Sequence, residues 1–266
     1  MATATVPAST QPKDLQTREK TNLELALTVG FARDLTRFLG SEEATASLVA
    51  EIYNQARRVP GIYGCTVVSI QLNVARIASL RLNPALPNMV HFIPRNNKQK
   101  DERGKEVWVK ELTTQYGYAG LRELVMRSPE VIDCFTQAVC VNDDYEPPVD
   151  AISPPRHRLP RFQPRGRVEG YYATIKLANG HWRTLQMSVA EVLAHAKQYV
   201  KDPGPAWQFK KDKAGAIQYE RPDVDEGLTS FDKQGLKTVL RMLCNGRDVP
   251  MTADVSEALR IEEAAM

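Results

Sequence analysis

Cysteines are few in this sequence, and their spacing argues against a metal site. The 266 residues include only Cys65, Cys134, Cys140 and Cys244, none of which forms a Cys-x-x-Cys pair. The nearest histidine to the middle two, His157, lies in a proline-rich stretch. Zinc sites take their ligands from closely spaced cysteines and histidines. We therefore expect buried thiols in a reducing compartment and no metal.

Long apolar runs and nucleotide-binding motifs are also missing. No apolar run approaches the ~18 residues that a membrane span requires, and the N-terminus has no basic segment followed by an apolar one. Neither Gly-x-x-x-x-Gly-Lys-Ser/Thr nor Gly-x-Gly-x-x-Gly occurs, so the sequence predicts no nucleotide cofactor. We expect a protein that stays in the cytoplasm of the cell that makes it and does not contact the membrane.

Catalytic motifs are equally scarce. Asp143, Asp144 and Glu146 could bind the metal of a nuclease, but no paired Lys or His pattern accompanies them. We interpret them as a loop of solvated acids. The chain has no Gly-x-Ser-x-Gly sequence to indicate a nucleophilic serine, and we predict no catalytic residues. The net charge is only +3, so any site for a polyanion must come from local clustering.

The hydrophobic pattern changes from helical to alternating and back, which predicts an α+β fold: a helical N-terminal part and a central antiparallel sheet with a hairpin, packed on helices. We expect a disordered tail at 1–20, one domain over 21–250 and an acidic flexible tail at 251–266. Predicted helices are 23–39, 42–58, 66–82, 116–127, one beginning after Ser188, and 229–243; predicted strands are 89–94, 106–112, 171–178 and 181–187. Residues 131–141 fit either a strand or a short helix, and 147–167 an exposed loop rich in proline and arginine.

The last predicted helix carries a row of positive charge. Lys233, Lys237 and Arg241 are spaced at i, i+4 and i+8, so they share one face beside an apolar stripe. Such a face could bind the phosphates of a nucleic acid, although a merely solvated lysine face is the ordinary alternative.

The hairpin supplies a second pair of cations. Asn179-Gly180 predicts a two-residue type I′ turn, which would place Lys176 directly opposite Arg183. Like charges in that position are unfavourable by up to ~1 kcal/mol unless an anion lies between them. The alternative is that the long side chains extend into water.

Other cations lie near aromatic residues, a combination that suits single-stranded nucleic acid because rings can stack on bases. Lys110 shares a strand face with Trp108, and Tyr118 precedes Arg122 on a helix. The remaining candidates are the arginines of the proline-rich loop, Arg156 and Arg158 first among them.

Several segments together resemble the RecT family of phage single-strand annealing proteins. No segment is specific by itself, but their order and spacing over roughly residues 40–250 are. They are Ala50–Pro60, Phe92-Ile93-Pro94, Tyr116–Leu121, Tyr171–Leu177, Pro205-Ala206-Trp207 and Lys233–Leu243.

The resemblance implies a recombinase that needs no ATP, binds single-stranded DNA, assembles on it as rings or helical filaments, and pairs complementary strands. It implies a phage exonuclease as a partner, and a host single-strand binding protein is a further candidate. On this hypothesis the cations named above bind the DNA backbone. The alternatives are a DNA-processing nuclease and a non-enzymatic phage scaffold or adaptor protein.

Overall fold

The computed structural model confirms the α+β class. It describes residues 22–100, 103–199, 210–211, 217–218, 227–246, 249–250 and 252–264. Residues 1–20, expected to be a disordered tail, lie outside the described residues. Contacts divide the chain into two compact units, Met1–Leu86 with His91–Gln115 and Pro87–Val90 with Tyr116–Met266. This differs from the single domain expected over 21–250.

Helices form the first half of the first unit. They are α1 (Val29–Leu39), α2 (Glu42–Arg58), a 3-10 turn (Pro60–Gly64) and α3 (Val67–Ser79). The prediction for α2 is confirmed, and Ser41 caps it by accepting the Ala44 N–H. The helix expected over 23–39 is interrupted, because Thr28 is extended and its side chain caps a new helix, α1.

A two-stranded sheet of β1 (Val90–Lys100) and β2 (Glu106–Tyr116) belongs largely to this unit. Both strands run further than predicted, since side chains pair across them: Asn97 and Gln99 each donate to Glu111, at 2.6 Å. A buried network ties β2 to α3, in which Asn73 donates to the Leu112 carbonyl at 2.7 Å. Thr114 in turn donates to Asn73, at 2.8 Å.

The second unit is built on a three-stranded antiparallel sheet in the order β3-β6-β7. Its strands are β3 (Val131–Cys140), β6 (Val168–Leu177) and β7 (Trp182–Ser188), with a small hairpin of β4 (Asp144–Glu146) and β5 (Arg156–Arg158) inserted between the first two. Its helices are α4 (Tyr118–Met126), α5 (Val189–Tyr199), α6 (Ser230–Asn245) and α7 (Ala253–Ala264). Two short strands, β8 (Lys210–Lys211) and β9 (Ile217–Gln218), pair with each other.

The central strand β6 is covered on both faces. Tyr171 points toward α6, where its hydroxyl donates to the buried carboxylate of Asp232 at 2.5 Å. Asp232 also completes a capping box with Thr229, which fixes the start of α6. The next residue, Tyr172, points to the other face and meets the β4–β5 hairpin. Successive residues of a strand alternate between faces. The two adjacent tyrosines therefore contact the elements packed on the two faces, α6 on one and the β4–β5 hairpin on the other.

A helix occupies most of the acidic C-terminal segment, where a flexible tail was expected at 251–266. Residues Ala253–Ala264 form α7. Val255, Ala258 and Leu259 recur at i, i+3 and i+4 and are buried, so the helix has an apolar face that the acidic composition obscured. Among the described residues, no helix is long and apolar enough to cross a membrane.

Gly235→Ala tests the packing of α6 on the sheet. A Cβ at this position would lie 2.7 Å from the Tyr171 ring. We expect the variant to lose about 1–3 kcal/mol of unfolding free energy in urea, because the ring or the helix must shift. Gly30→Ala is the control, since its Cβ meets nothing closer than 4.0 Å and alanine favours helix. Wild-type stability for Gly235→Ala would contradict the packing.

Candidate nucleic-acid interface

The predicted row of cations on α6 is only partly exposed. Lys233 is exposed, Arg241 is half-buried, and Lys237 retains 9% of its exposure. The helix packs against β6, β7 and α4, which leaves few of its positions at the surface. The spacing on the helix was correct, but the pattern did not show how many neighbours the helix has.

The predicted hairpin register is wrong by one residue. Lys176 lies opposite Trp182, and Ile175 lies opposite Arg183. The Leu177 N–H donates to the His181 carbonyl at 2.8 Å, so the loop has three residues. Gly180 alone among them is left-handed, with φ +85°, whereas a type I′ turn needs positive φ at two successive positions.

This register separates the two hairpin cations. Arg183 lies on the face that carries α6, and Lys176 lies on the opposite face. The Lys176 ammonium is 5.5 Å from the centre of the Trp182 ring, and Asp133 is its neighbour on β3. The aromatic ring stabilises this charge, and the two cations lie on opposite faces of the sheet, so no bound anion is required between Lys176 and Arg183.

The candidates on α4 and β2 differ in how many contacts their side chains already make within the protein and in how exposed they are. Arg122 donates to the Cys134 carbonyl at the edge of β3 and lies 3.6 Å from Asp133. Tyr118 is half-buried at the first position of α4. Lys110 belongs to the first unit, where it is half-buried. Arg122 therefore has a structural role at the sheet edge.

The proline- and arginine-rich segment is held in place more firmly than a loop of its composition suggests. Arg156 and Arg158 begin and end β5 and are exposed. Arg156 pairs with Glu146 across the small hairpin at 3.0 Å. Arg158 faces solvent.

A buried carboxylate anchors this segment. Asp143, interpreted from sequence as solvated, has 0% side-chain exposure and lies 2.6 Å from the Arg165 guanidinium. It also accepts the Cys140 N–H at 2.8 Å and lies 3.0 Å from Nε2 of His157. Burial alone would raise the pKa of Asp143, but hydrogen bonds from these three groups lower it below the ordinary value.

The other nitrogen of the histidine continues the network. Nδ1 of His157 lies 3.2 Å from the Tyr172 hydroxyl, and the Tyr145 ring stacks on Tyr172 at 5.2 Å between centroids. Burial raises the pKa of Tyr172 to about 12, so its hydroxyl stays protonated. The network clamps the hairpin to the sheet. Its members are far apart in the sequence, and no local pattern could have revealed them.

Within the described part of the chain, no group of three or more His, Cys, Asp or Glu side chains is arranged to hold a metal ion. Burial raises the pKa values of both Cys134 and Cys244 to about 12, so these thiols are protonated and unreactive. Cationic side chains reach the surface at α6, β7 and the arginine-rich segment.

Comparison with protein families gives one decisive match. A model of the RecT family matches residues 42–214. The chain belongs to the RecT family. A search of curated proteins found no sequence that matches it. The predicted resemblance is thus confirmed over more than half of the chain.

The extent of the match divides the candidate residues of this RecT protein. Seven lie inside it: Lys110, Tyr118, Arg122, Arg156, Arg158, Lys176 and Arg183. The three cations of α6 lie beyond residue 214. Their assignment to a DNA site is therefore not supported by the match.

The acid stability of this RecT protein should depend on Asp143. Because its folded pKa lies below the ordinary 3.8, the carboxylate stabilises the fold above that value and loses this effect as pH falls through the lowered pKa. We expect Asp143→Asn to lose about 1–3 kcal/mol at neutral pH and to show a flatter decline in acid, measured by urea unfolding across pH.

Glu146→Gln is the matched control, because Glu146 forms an exposed ion pair on the same hairpin and exposed pairs contribute little. Equal behaviour of the two variants would show that the buried network does not hold the segment.

Proposed function

We propose that this protein binds one strand of DNA and pairs it with a complementary strand without using ATP, in phage or prophage recombination. Membership of the RecT family carries this proposal, since that family consists of phage single-strand annealing proteins. Base pairing itself drives annealing, so the protein needs to neutralise phosphates and leave base edges accessible.

The α6 surface, defined as Lys233 and Arg241 of α6 and Arg183 on the sheet face that carries α6, is the first candidate for the DNA backbone. Lys233 is exposed, and the other two are half-buried. Burial lowers the pKa of His195 on α5, and the charge of Arg241 adds to this effect. Lys237 lies on the same helix but is buried. It therefore suits a role in packing beneath the surface better than direct contact with a phosphate.

The second candidate lies on the other face of the sheet. Lys176 stands beside Trp182 there, and the segment that carries Arg156 and Arg158 covers that face. Arg122, Tyr118 and Lys110 rank below these, because Arg122 is engaged with the edge of β3 and the other two are half-buried.

Partners and assembly follow from the same proposal. The protein assembles on DNA as a ring or helical filament in the cytoplasm of a bacterial host. It works beside a phage exonuclease that supplies the single strand, and a host single-strand binding protein is a further partner. It uses no cofactor and does not hydrolyse DNA.

Lys233→Ala tests the α6 surface. We expect weaker binding of a labelled single strand and a salt dependence shallower by about 0.7 in log–log slope, because one phosphate contact is lost. Fluorescence anisotropy over a salt series measures both quantities.

Lys233→Arg should restore the slope. Arg37→Ala removes the same charge from an exposed ion pair on α1 and should leave binding unchanged. If Lys233→Ala and Arg37→Ala bind equally well with the same slope as the wild type, Lys233 is not a phosphate contact.

A further inference from the structure

The arginine-rich segment exposes apolar side chains as well as charge. Phe162 is 98% exposed and Val149 is 91% exposed. Ile152 and Leu159, at 65% and 55%, add to the same segment. Apolar side chains concentrated on one exposed segment mark surfaces that bind a partner.

Hydrogen bonds hold the segment on both sides of Phe162. The Trp182 N–H donates to the Ala151 carbonyl at 2.6 Å, and the Asn142 side chain donates to the Pro164 carbonyl at 2.9 Å. Pro160 and Pro164 flank the ring and restrict the backbone around it. The phenyl ring is therefore exposed on a segment that is already held by the fold. Binding a ligand would cost little further conformational entropy in this segment.

The charges around this ring favour a polyanion. Arg161 is the adjacent residue, and Arg158 and Arg167 lie within five positions; all three are exposed. Over the residues that the structure describes, no acidic group forms an ion pair with any of the three. An aromatic ring among available guanidinium groups suits a single-stranded nucleic acid, whose bases offer free faces and whose phosphates are regularly spaced.

We infer that Phe162 stacks on a base of the bound single strand, while Arg158 and Arg161 contact the flanking phosphates. The inference rests on the proposed function, since it requires that the protein bind single-stranded DNA. A duplex hides the faces of its bases in the stack, so this contact distinguishes the unpaired strand from the annealed product.

A strand without bases separates stacking from charge. The full-length protein is titrated with a labelled thymidine oligonucleotide and with a strand of the same length whose central positions are abasic. Phe162→Ala should weaken binding to the thymidine strand by about 5- to 150-fold and leave binding to the abasic strand unchanged. Phe162→Trp should bind like the wild type, with its fluorescence quenched by the thymidine strand only.

Val68→Ala is the matched control, because it truncates an exposed apolar residue of α3, outside this segment. It should bind both strands like the wild type. Equal affinity of Phe162→Ala and wild type for the thymidine strand would overturn the inference alone. An equal loss of affinity for both strands would also overturn it. So would a changed oligomeric state with unchanged affinity, because Phe162 would then contact another protein chain. Failure of the wild type to bind either strand would overturn the proposed function with it.

Discussion

Two adjacent tyrosines on the central strand determine how the second unit is assembled. Tyr171 fixes α6 to one face of the sheet through the buried Asp232 carboxylate. Tyr172 fixes the arginine-rich segment to the other face through His157 and, beyond it, Asp143. Both contacts are buried and polar, so each has specific geometry and neither tolerates an unpaired partner. These two contacts place α6, which carries Lys233, and the segment that carries Arg156 and Arg158 on opposite faces of the sheet.

The alternation of the strand also decides which cations can act together. Arg183 shares a face with α6, whereas Lys176 shares the opposite face with the arginine-rich segment. The protein thus has separate cationic surfaces on the two sides of one sheet, each with its own anchor. An annealing protein must hold one strand and then accept a second. The two surfaces differ in their side chains: α6 offers lysine and arginine, and the segment offers arginine with an aromatic ring. This difference suits them to different roles.

Local signals in the sequence predicted local structure well. The helical pattern predicted the bounds of α2, which Ser41 caps at its start, and the alternating pattern identified the two strands of the hairpin. The register failed because a two-residue and a three-residue loop differ by a single residue, and the φ angles at Asn179 and Gly180 depend on the surrounding fold. The burial of Asp143 and Lys237 could not be predicted, because each is decided by residues distant in the sequence. The family relationship was predictable, since it depends on the order of many weak motifs.

The annealing function is tested by the rate at which complementary oligonucleotides pair in the absence of ATP. Labelled strands are mixed with and without the protein, in buffer with magnesium, and duplex formation is followed by fluorescence transfer between the two labels. We expect the protein to accelerate pairing without nucleotide and to leave both strands intact. Pairing at the spontaneous rate would contradict an annealing function, and shortened strands would indicate a nuclease.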